Sequence, residues 1–129
     1  MTKEEREKTK SDLLLVRKCI TEKWKPILHR GKIEHGVEDC FLCAEYYNLF
    51  TDHDCKACPI FQKTGRVHCH STPYMLWEHA GFNRVEDKES AGYAVAEINF
   101  LRRLERDLQK KLNRRVGELR LEKLPKIWK

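Results

Sequence analysis

Apolar residues near the N-terminus recur at the spacing of an α-helix. They lie three or four positions apart, at Leu13, Val16, Ile20 and Trp24. Thr2 and Glu5 fit a capping box, in which each side chain bonds the backbone N–H of the other residue. Pro26 disfavours helical geometry in the residue before it, so we expect this helix to end at Lys25. The pattern predicts a first helix over residues 2–25.

A longer amphipathic pattern occupies the C-terminal third of the chain. No proline occurs from Glu86 to Glu122, and apolar residues recur at Ala94, Ile98, Leu101, Leu104 or Leu108, Leu112, Val116 and Leu119. The pattern predicts one helix of about nine or ten turns, longer than a domain on the order of 30 Å across. Its apolar stripe is therefore expected to pack antiparallel on the first helix, on a second copy in a homodimer, or on a partner helix.

Proline and glycine predict two short helices between the long ones. One begins at Pro59 and ends at Gly65, and the other begins at Pro73 and ends near Gly81. Residues 29–39 are polar, contain two glycines and lead into the first C-x2-C, around which a short hairpin is considered.

Five of the six cysteines fall within thirty residues, as two C-x2-C pairs and a single thiol: Cys40, Cys43, Cys55, Cys58 and Cys69. A C-x2-C turn points two sulfurs in the same direction, and two such turns close the tetrahedral S4 site that zinc prefers. Metal binding would also order a segment with little apolar content of its own. Disulfides are the alternative, but no signal peptide is evident, so we expect the thiols to stay reduced.

Three ligand sets remain open. In the first, zinc is held by the two pairs, Cys40, Cys43, Cys55 and Cys58, and Cys69 is a neighbour. In the second, three or four thiolates hold an iron–sulfur cluster of the 4Fe-4S type, drawn from Cys43, Cys55, Cys58 and Cys69. In the third, one thiolate is replaced by a histidine, either His53, His68 or His70. Zinc is favoured because it commonly occupies paired C-x2-C turns.

The cysteine pattern and its flanking residues resemble a group of small cysteine-rich proteins of phages and prokaryotes that have no established activity. The resemblance covers about residues 24–79 and is carried by Cys40-x2-Cys43, Cys55-x2-Cys58-Pro59-Ile60, Thr64-Gly65, Cys69-x2-Thr72-Pro73-Tyr74 and Trp77. It implies that these positions act as one unit. It implies no catalytic role, and the two long helices lie outside it.

Cys69 and Cys19 lie outside the two C-x2-C pairs and have different surroundings. Cys69 lies just upstream of the helix predicted at Pro73, and the positive end of a helix dipole lowers the pKa of a thiol. We therefore expect Cys69 to be a thiolate and, if it is not a metal ligand, a reactive or redox-sensing thiol. Cys19 falls beside the apolar stripe of the first helix, where we expect a buried core thiol, with a ligand role as the alternative.

Positive charge is concentrated on the predicted long C-terminal helix and its tail. Residues 101–129 contain eleven Lys and Arg against four Asp and Glu, whereas residues 26–100 contain seven against eleven. The cations recur beside the apolar stripe, at Arg102, Arg103, Arg106, Lys110, Arg114 and Arg115. Such a row could contact nucleic-acid phosphates, although charge runs are usually only a solvated helix face.

These patterns predict a mostly α fold, with two long helices flanking a central irregular metal-binding knuckle that contains short helices. We expect one domain over residues 1–129, made of an N-terminal helix (1–25), a cysteine-rich metal module (26–85) and a long basic helix with a tail (86–129). No run approaches the eighteen apolar residues of a membrane span, so we expect a cytoplasmic protein.

The function predicted from sequence is binding. Zinc would be structural, and the basic helices would contact nucleic acid or a partner protein. The alternative is an iron–sulfur or reactive-thiol redox sensor or enzyme. No P-loop, G-x-S-x-G, H-E-x-x-H or dinucleotide fingerprint occurs, which leans against catalysis.

Overall fold

The computed structural model describes residues 2–46, 57–65, 69 and 72–122, and side chains are described up to residue 113 except those of residues 37 and 38. This part of the chain is mostly helical and contains no strand. Its α-helices are α1 (Lys3–Lys18), α2 (Lys25–Arg30), α3 (Phe41–Tyr46), α4 (Pro59–Thr64), α5 (Pro73–His79) and α6 (Lys88–Glu122). The predicted pair of long helices is confirmed.

The first helix extends beyond its predicted end. The Thr2 and Glu5 capping box is present, but helical structure continues from α1 through a π-helical segment, Cys19–Trp24, into α2. The backbone N–H of Lys25 donates to the carbonyl of Ile20, five residues back, and this wide turn removes the carbonyl clash that a proline ring meets in a regular helix. The end predicted at Lys25 is therefore wrong. We call this continuous helix, residues 3–30, the N-terminal rod.

The N-terminal rod and α6 run antiparallel, which is the first of the packings expected for the long apolar stripe. Arg17 bonds Glu105 and Gln109, each at 3.3 Å, while Lys23, farther along the rod, lies within electrostatic range of Glu97. α6 begins at Lys88, two residues after the predicted start, because Asp87 and Ser90 cap its first turn. Residues 123–129, the predicted tail, lie outside the described residues.

The core forms between these two helices, and the predicted apolar stripes line it. Its buried members include Leu13, Val16, Ile20 and Trp24 from the rod and Ala94, Ile98, Leu101, Leu104, Leu108 and Leu112 from α6. The side chains of Val116 and Leu119 lie outside the described residues. Trp24 meets Trp77 of α5 edge to face at 5.5 Å, which seats α5 against the rod.

The short helices α4 and α5 begin at Pro59 and Pro73, and Gly65 and Gly81 take positive φ at their ends, as predicted. The hairpin considered around the first C-x2-C is wrong, because a 3₁₀ turn, Gly36–Asp39, is followed there by α3, which contains Cys43. None of the described helices combines the length and the apolar content needed to cross a bilayer.

Candidate metal centre

Four of the predicted ligand cysteines lie near helix starts. Cys40 directly precedes α3 and Cys43 lies in its first turn, while Cys58 directly precedes α4 and Cys69 lies three residues before Thr72, the cap of α5. Cys55 lies outside the described residues, as do the alternative ligands His53, His68 and His70. Cys69 has a left-handed backbone (φ 59°), which is uncommon for a residue with a side chain.

Cys40 is at the middle of a group of sulfurs that we call the thiol cluster, made of Cys19, Cys40, Cys43, Cys58 and Cys69. Its sulfur accepts the backbone N–H of Cys43 at 3.4 Å. The neighbouring thiol of Cys19, then that of Cys43, and the charge of Lys23 hold the pKa of Cys40 well below its usual value. The surroundings of Cys40 therefore favour its thiolate form.

The pKa values of Cys43 and Cys69 are shifted by Cys40 and by the other cysteines. The hydrogen bond to Cys40, burial, and the charges of Cys40, Cys69 and Cys58 raise the pKa of Cys43. Burial raises the pKa of Cys69, and the charges of Cys40, Glu97 and Cys58 add to the effect. Sulfurs from three separate segments thus lie within electrostatic range of each other.

The prediction that Cys69 has a lowered pKa is wrong. The carboxylate of Glu97 accepts the Tyr74 N–H at 3.0 Å and so occupies the start of α5 that was expected to favour a Cys69 thiolate. Burial and this extra negative charge together outweigh the helix dipole.

A buried lysine supplies positive charge beside the cluster. The Lys23 ammonium, whose side chain is 4% exposed, lies 3.1 Å from Glu34 and 3.0 Å from Asp39, and it donates to the Gly36 carbonyl at 3.2 Å. Burial lowers the pKa of Lys23, but the charges of Cys40, Glu34 and Asp39 outweigh it and raise the pKa. Lys23 therefore remains charged and stabilises the Cys40 thiolate.

Lys23 and Glu97 were not predicted as site residues, whereas Cys19 was predicted to be a buried core thiol, with a ligand role as the alternative. Cys19 is indeed buried, at 2% exposure, and its thiol interacts with Cys40 at the start of α3. Lys23 and Glu97 could have been recognised from the sequence, because each is a charged residue that falls at helical spacing within an apolar stripe.

The donor chemistry of the cluster suits a soft metal ion. It offers several sulfur ligands, an environment that favours the thiolate form of Cys40, and a backbone N–H that bonds the Cys40 sulfur. Among the described residues, however, no three His, Cys, Asp or Glu side chains stand in an arrangement that could hold a metal ion. The cysteines lie near one another, but the described residues do not show the geometry of a metal-coordination site.

The predicted nucleic-acid-binding residues form an exposed row on α6. Arg102, Arg103, Arg106 and Lys110 are solvent-exposed, and we call these four the basic face. Arg114 and Arg115 continue along α6, but their side chains lie outside the described residues.

Acidic residues beside the basic face are engaged by other cations. Glu105 pairs with Arg17 of α1, and Asp107 pairs with Lys63 of α4. Within the described part of the chain, none of the ion pairs involves the basic face. Among the described residues, the positive charge of these four side chains is therefore not neutralised by an ion pair.

Comparison with known proteins adds no family to this picture. No protein-family model, curated protein or solved structure matches the chain. The thiol cluster and the basic face are therefore the two features that bear on function.

Proposed function

We propose that this chain is a small metal-stapled binding protein in which cysteine thiolates hold zinc. The observation that carries the proposal is that Cys40, Cys58 and Cys69, from three separate segments, pack against one core and lie, with Cys43, within electrostatic range of one another beside a buried lysine. Cys55, next to Cys58 in the second C-x2-C pair, is a further donor for the same site. A tetrathiolate site leaves no open position for a substrate, so the metal is proposed to be structural.

When bound, zinc would cross-link segments that share few other contacts. The residues that hold it come from the starts of α3 and α4 and from the turn before α5. Lys23 would offset part of the negative charge of the thiolates, and the N–H of Cys43 would orient the Cys40 sulfur. The cross-link would fix the short helices against the N-terminal rod and α6.

Metal analysis of protein purified without oxygen, with an absorption spectrum of the same sample, tests the site. Zinc near one ion per chain and no visible absorption would support the proposal. Iron with a broad visible band would establish the iron–sulfur alternative in its place. Protein that binds neither metal, as isolated or after anaerobic reconstitution, would reject the metal site.

We further propose that the basic face binds nucleic-acid phosphates. The support is its exposure on α6 together with the engagement of Glu105 and Asp107 by Arg17 and Lys63. Phosphate contacts of this kind release counterions, so the affinity should fall steeply as salt rises.

Replacing Arg102 and Arg103 together by alanine is expected to weaken binding to labelled duplex DNA and RNA. Each phosphate contact that is lost should reduce the slope of log K against log salt by about 1. Fluorescence anisotropy over a salt series measures this slope. The matched control is the replacement of Lys3 and Lys10 by alanine, which removes the same charge from exposed positions on α1. Equal affinities for the wild type and both double variants would exclude the basic face as the binding surface.

A further inference from the structure

Two contacts between elements mark the limits of the solvent-exposed side of α6. On one side Arg17 of the rod donates to Gln109, and on the other side Lys63 of α4 pairs with Asp107. Because successive residues of an α-helix are turned by about 100°, Gln109 and Asp107 point about 160° apart. Among the described residues, the side chains between these two directions are exposed, and we call this part of the helix surface the exposed arc.

Asn99 and the basic face occupy the exposed arc in a definite order. Asn99, Arg106 and Lys110 point within about 40° of one another along the middle of the arc. Arg102 and Arg103 are neighbours in sequence and point about 100° apart, toward its two sides. The middle row rises about 16 Å from Asn99 to Lys110. A recess of about 400 Å³ lies among these side chains and is lined by Asn99, Arg102, Arg103, Glu105 and Arg106.

The shape of the exposed arc suits the major groove of B-form DNA. That groove is about 12 Å wide and admits an α-helix, whereas the minor groove, at about 6 Å, is too narrow. The major groove of duplex RNA is deep and narrow, so side chains cannot read the bases there. With α6 in a DNA major groove, the middle row would face the base edges, and Arg102 and Arg103 would face phosphates on either side.

Asn99 and Val95 have the chemistry that reads adenine and thymine. An asparagine amide can bond two groups of adenine in the major groove at once, and an apolar side chain can contact the thymine methyl group. Val95 is 42% exposed and lies four residues before Asn99, so the two are neighbours on the helix surface. The amide of Asn113, farther along α6, already accepts a hydrogen bond from Gln109 at 3.1 Å.

We propose that α6 enters the major groove of B-form DNA, where Asn99 reads an adenine and Val95 contacts the methyl group of a nearby thymine. The inference rests on the proposed function, because phosphate binding by the basic face holds α6 against the duplex. It adds a preference for DNA over RNA and for sequence, which phosphate contacts alone do not give.

Selection from a random library of duplex DNA with the wild-type protein tests whether bases are read. The selected sequence is expected to contain an adenine, and an RNA duplex of the same sequence should bind about 5- to 150-fold more weakly, which is the worth of one good base contact. Equal binding of the two duplexes, or a selection without a preferred sequence, would overturn the inference and leave phosphate binding by the basic face intact. Failure to bind either duplex would reject the proposed function as well.

Modified bases in the selected DNA assign the two contacts. 7-Deazaadenine lacks the ring acceptor of adenine, and uracil lacks the methyl group of thymine, and both groups lie in the major groove. 7-Deazaadenine should weaken the wild type several-fold and leave the affinity of Asn99→Ala unchanged. Uracil should act in the same way on the wild type and Val95→Ala. A base change that weakens the wild type and its matching variant equally, or affects neither, would overturn that assignment.

The double replacement of Arg102 and Arg103 by alanine is the matched control. Phosphate contacts carry no direct sequence information, so this variant should lose affinity for the natural and the modified duplexes by the same factor. Asn99→Ala removes no charge, and its salt slope should equal that of the wild type. Alanine favours the helix at this exposed position, and circular dichroism checks the fold. A reduced salt slope in Asn99→Ala would show that Asn99 only positions the cations and would overturn its role in base reading.

Discussion

At the scale of single residues, the candidate site depends on charges buried inside an otherwise apolar core. Lys23 compensates the Cys40 thiolate, Glu34 and Asp39, while Glu97 occupies the start of α5. Tyr74 connects Glu97 with Glu34, since its backbone N–H donates to Glu97 and its hydroxyl donates to Glu34 at 3.4 Å. Removing one member of such a network leaves its partners buried and unpaired.

Glu97 is expected to make stability depend on pH. Burial raises the pKa of Glu97 to about 7, although the Tyr74 N–H and Lys23 act in the opposite direction. Because its folded pKa lies above the ordinary value, its contribution is fully present below about pH 4 and is lost as pH rises through 7. The expected loss is about 3 kcal/mol between these limits.

The Glu97→Gln variant isolates this contribution, because a glutamine carbonyl can still accept the Tyr74 N–H without carrying a charge. Urea unfolding of both proteins from pH 5 to 8 gives the two free energies of unfolding. The wild type should lose stability relative to Glu97→Gln as the pH rises. A constant difference between the two proteins across this range would contradict the assignment.

At the scale of elements, the π-helical segment is the feature that the sequence did not predict, since it carries the first helix past Pro26. Cys19 and Lys23 lie four residues apart within it and share one face of the rod. Both then face Cys40. The rule that places a helix end before proline considers only neighbouring residues, and it cannot foresee a turn stabilised by packing.

Gly31 and Gly92 offer a matched pair of substitutions at this scale. Gly31 ends α2 with a φ of 63°, a conformation that costs an alanine about 1 kcal/mol or more, although a Cβ there meets nothing within 4 Å. Gly92 lies within α6 in equally open space, where alanine should instead stabilise by about 0.5 to 1 kcal/mol. Thermal and urea unfolding of Gly31→Ala and Gly92→Ala should therefore shift in opposite directions, and a shift of the same sign in both would contradict this account.

At the scale of the whole molecule, the spacing of apolar residues and the positions of proline and glycine predicted the mostly helical fold and its two long helices, while the metal-binding knuckle stays a prediction. The apolar stripes predicted the two long helices, and Pro59 and Pro73 predicted the starts of α4 and α5. The neighbours of Cys40 could not be predicted from the sequence, because Cys19 and Lys23 approach it only through the packing of the rod on α3. Zinc, nucleic-acid binding and a homodimer through α6 remain predictions.

The pairing of α6 with the N-terminal rod bears on self-association. Arg17 lies opposite Glu105 and Gln109, and both helices rise about 1.5 Å per residue. If both helices stay straight, Lys3 then reaches about as far as the last described turns of α6. Little of α6 would project beyond α1, so a homodimer would have to form on a face of the helix pair and not on a free helix end.

The position of the thiol cluster also has a consequence for how the chain folds. Helical proteins usually fold quickly, because most of their contacts join residues that are close in sequence. The thiol cluster instead joins residues that are far apart in sequence, since Cys40 lies within electrostatic range of Cys19 of the rod and of Cys69 just before α5. Loops must close before these sulfurs can meet, and loop closure costs entropy before any contact offsets it. The cluster therefore belongs to the late, high-contact-order part of an otherwise rapidly formed helical protein.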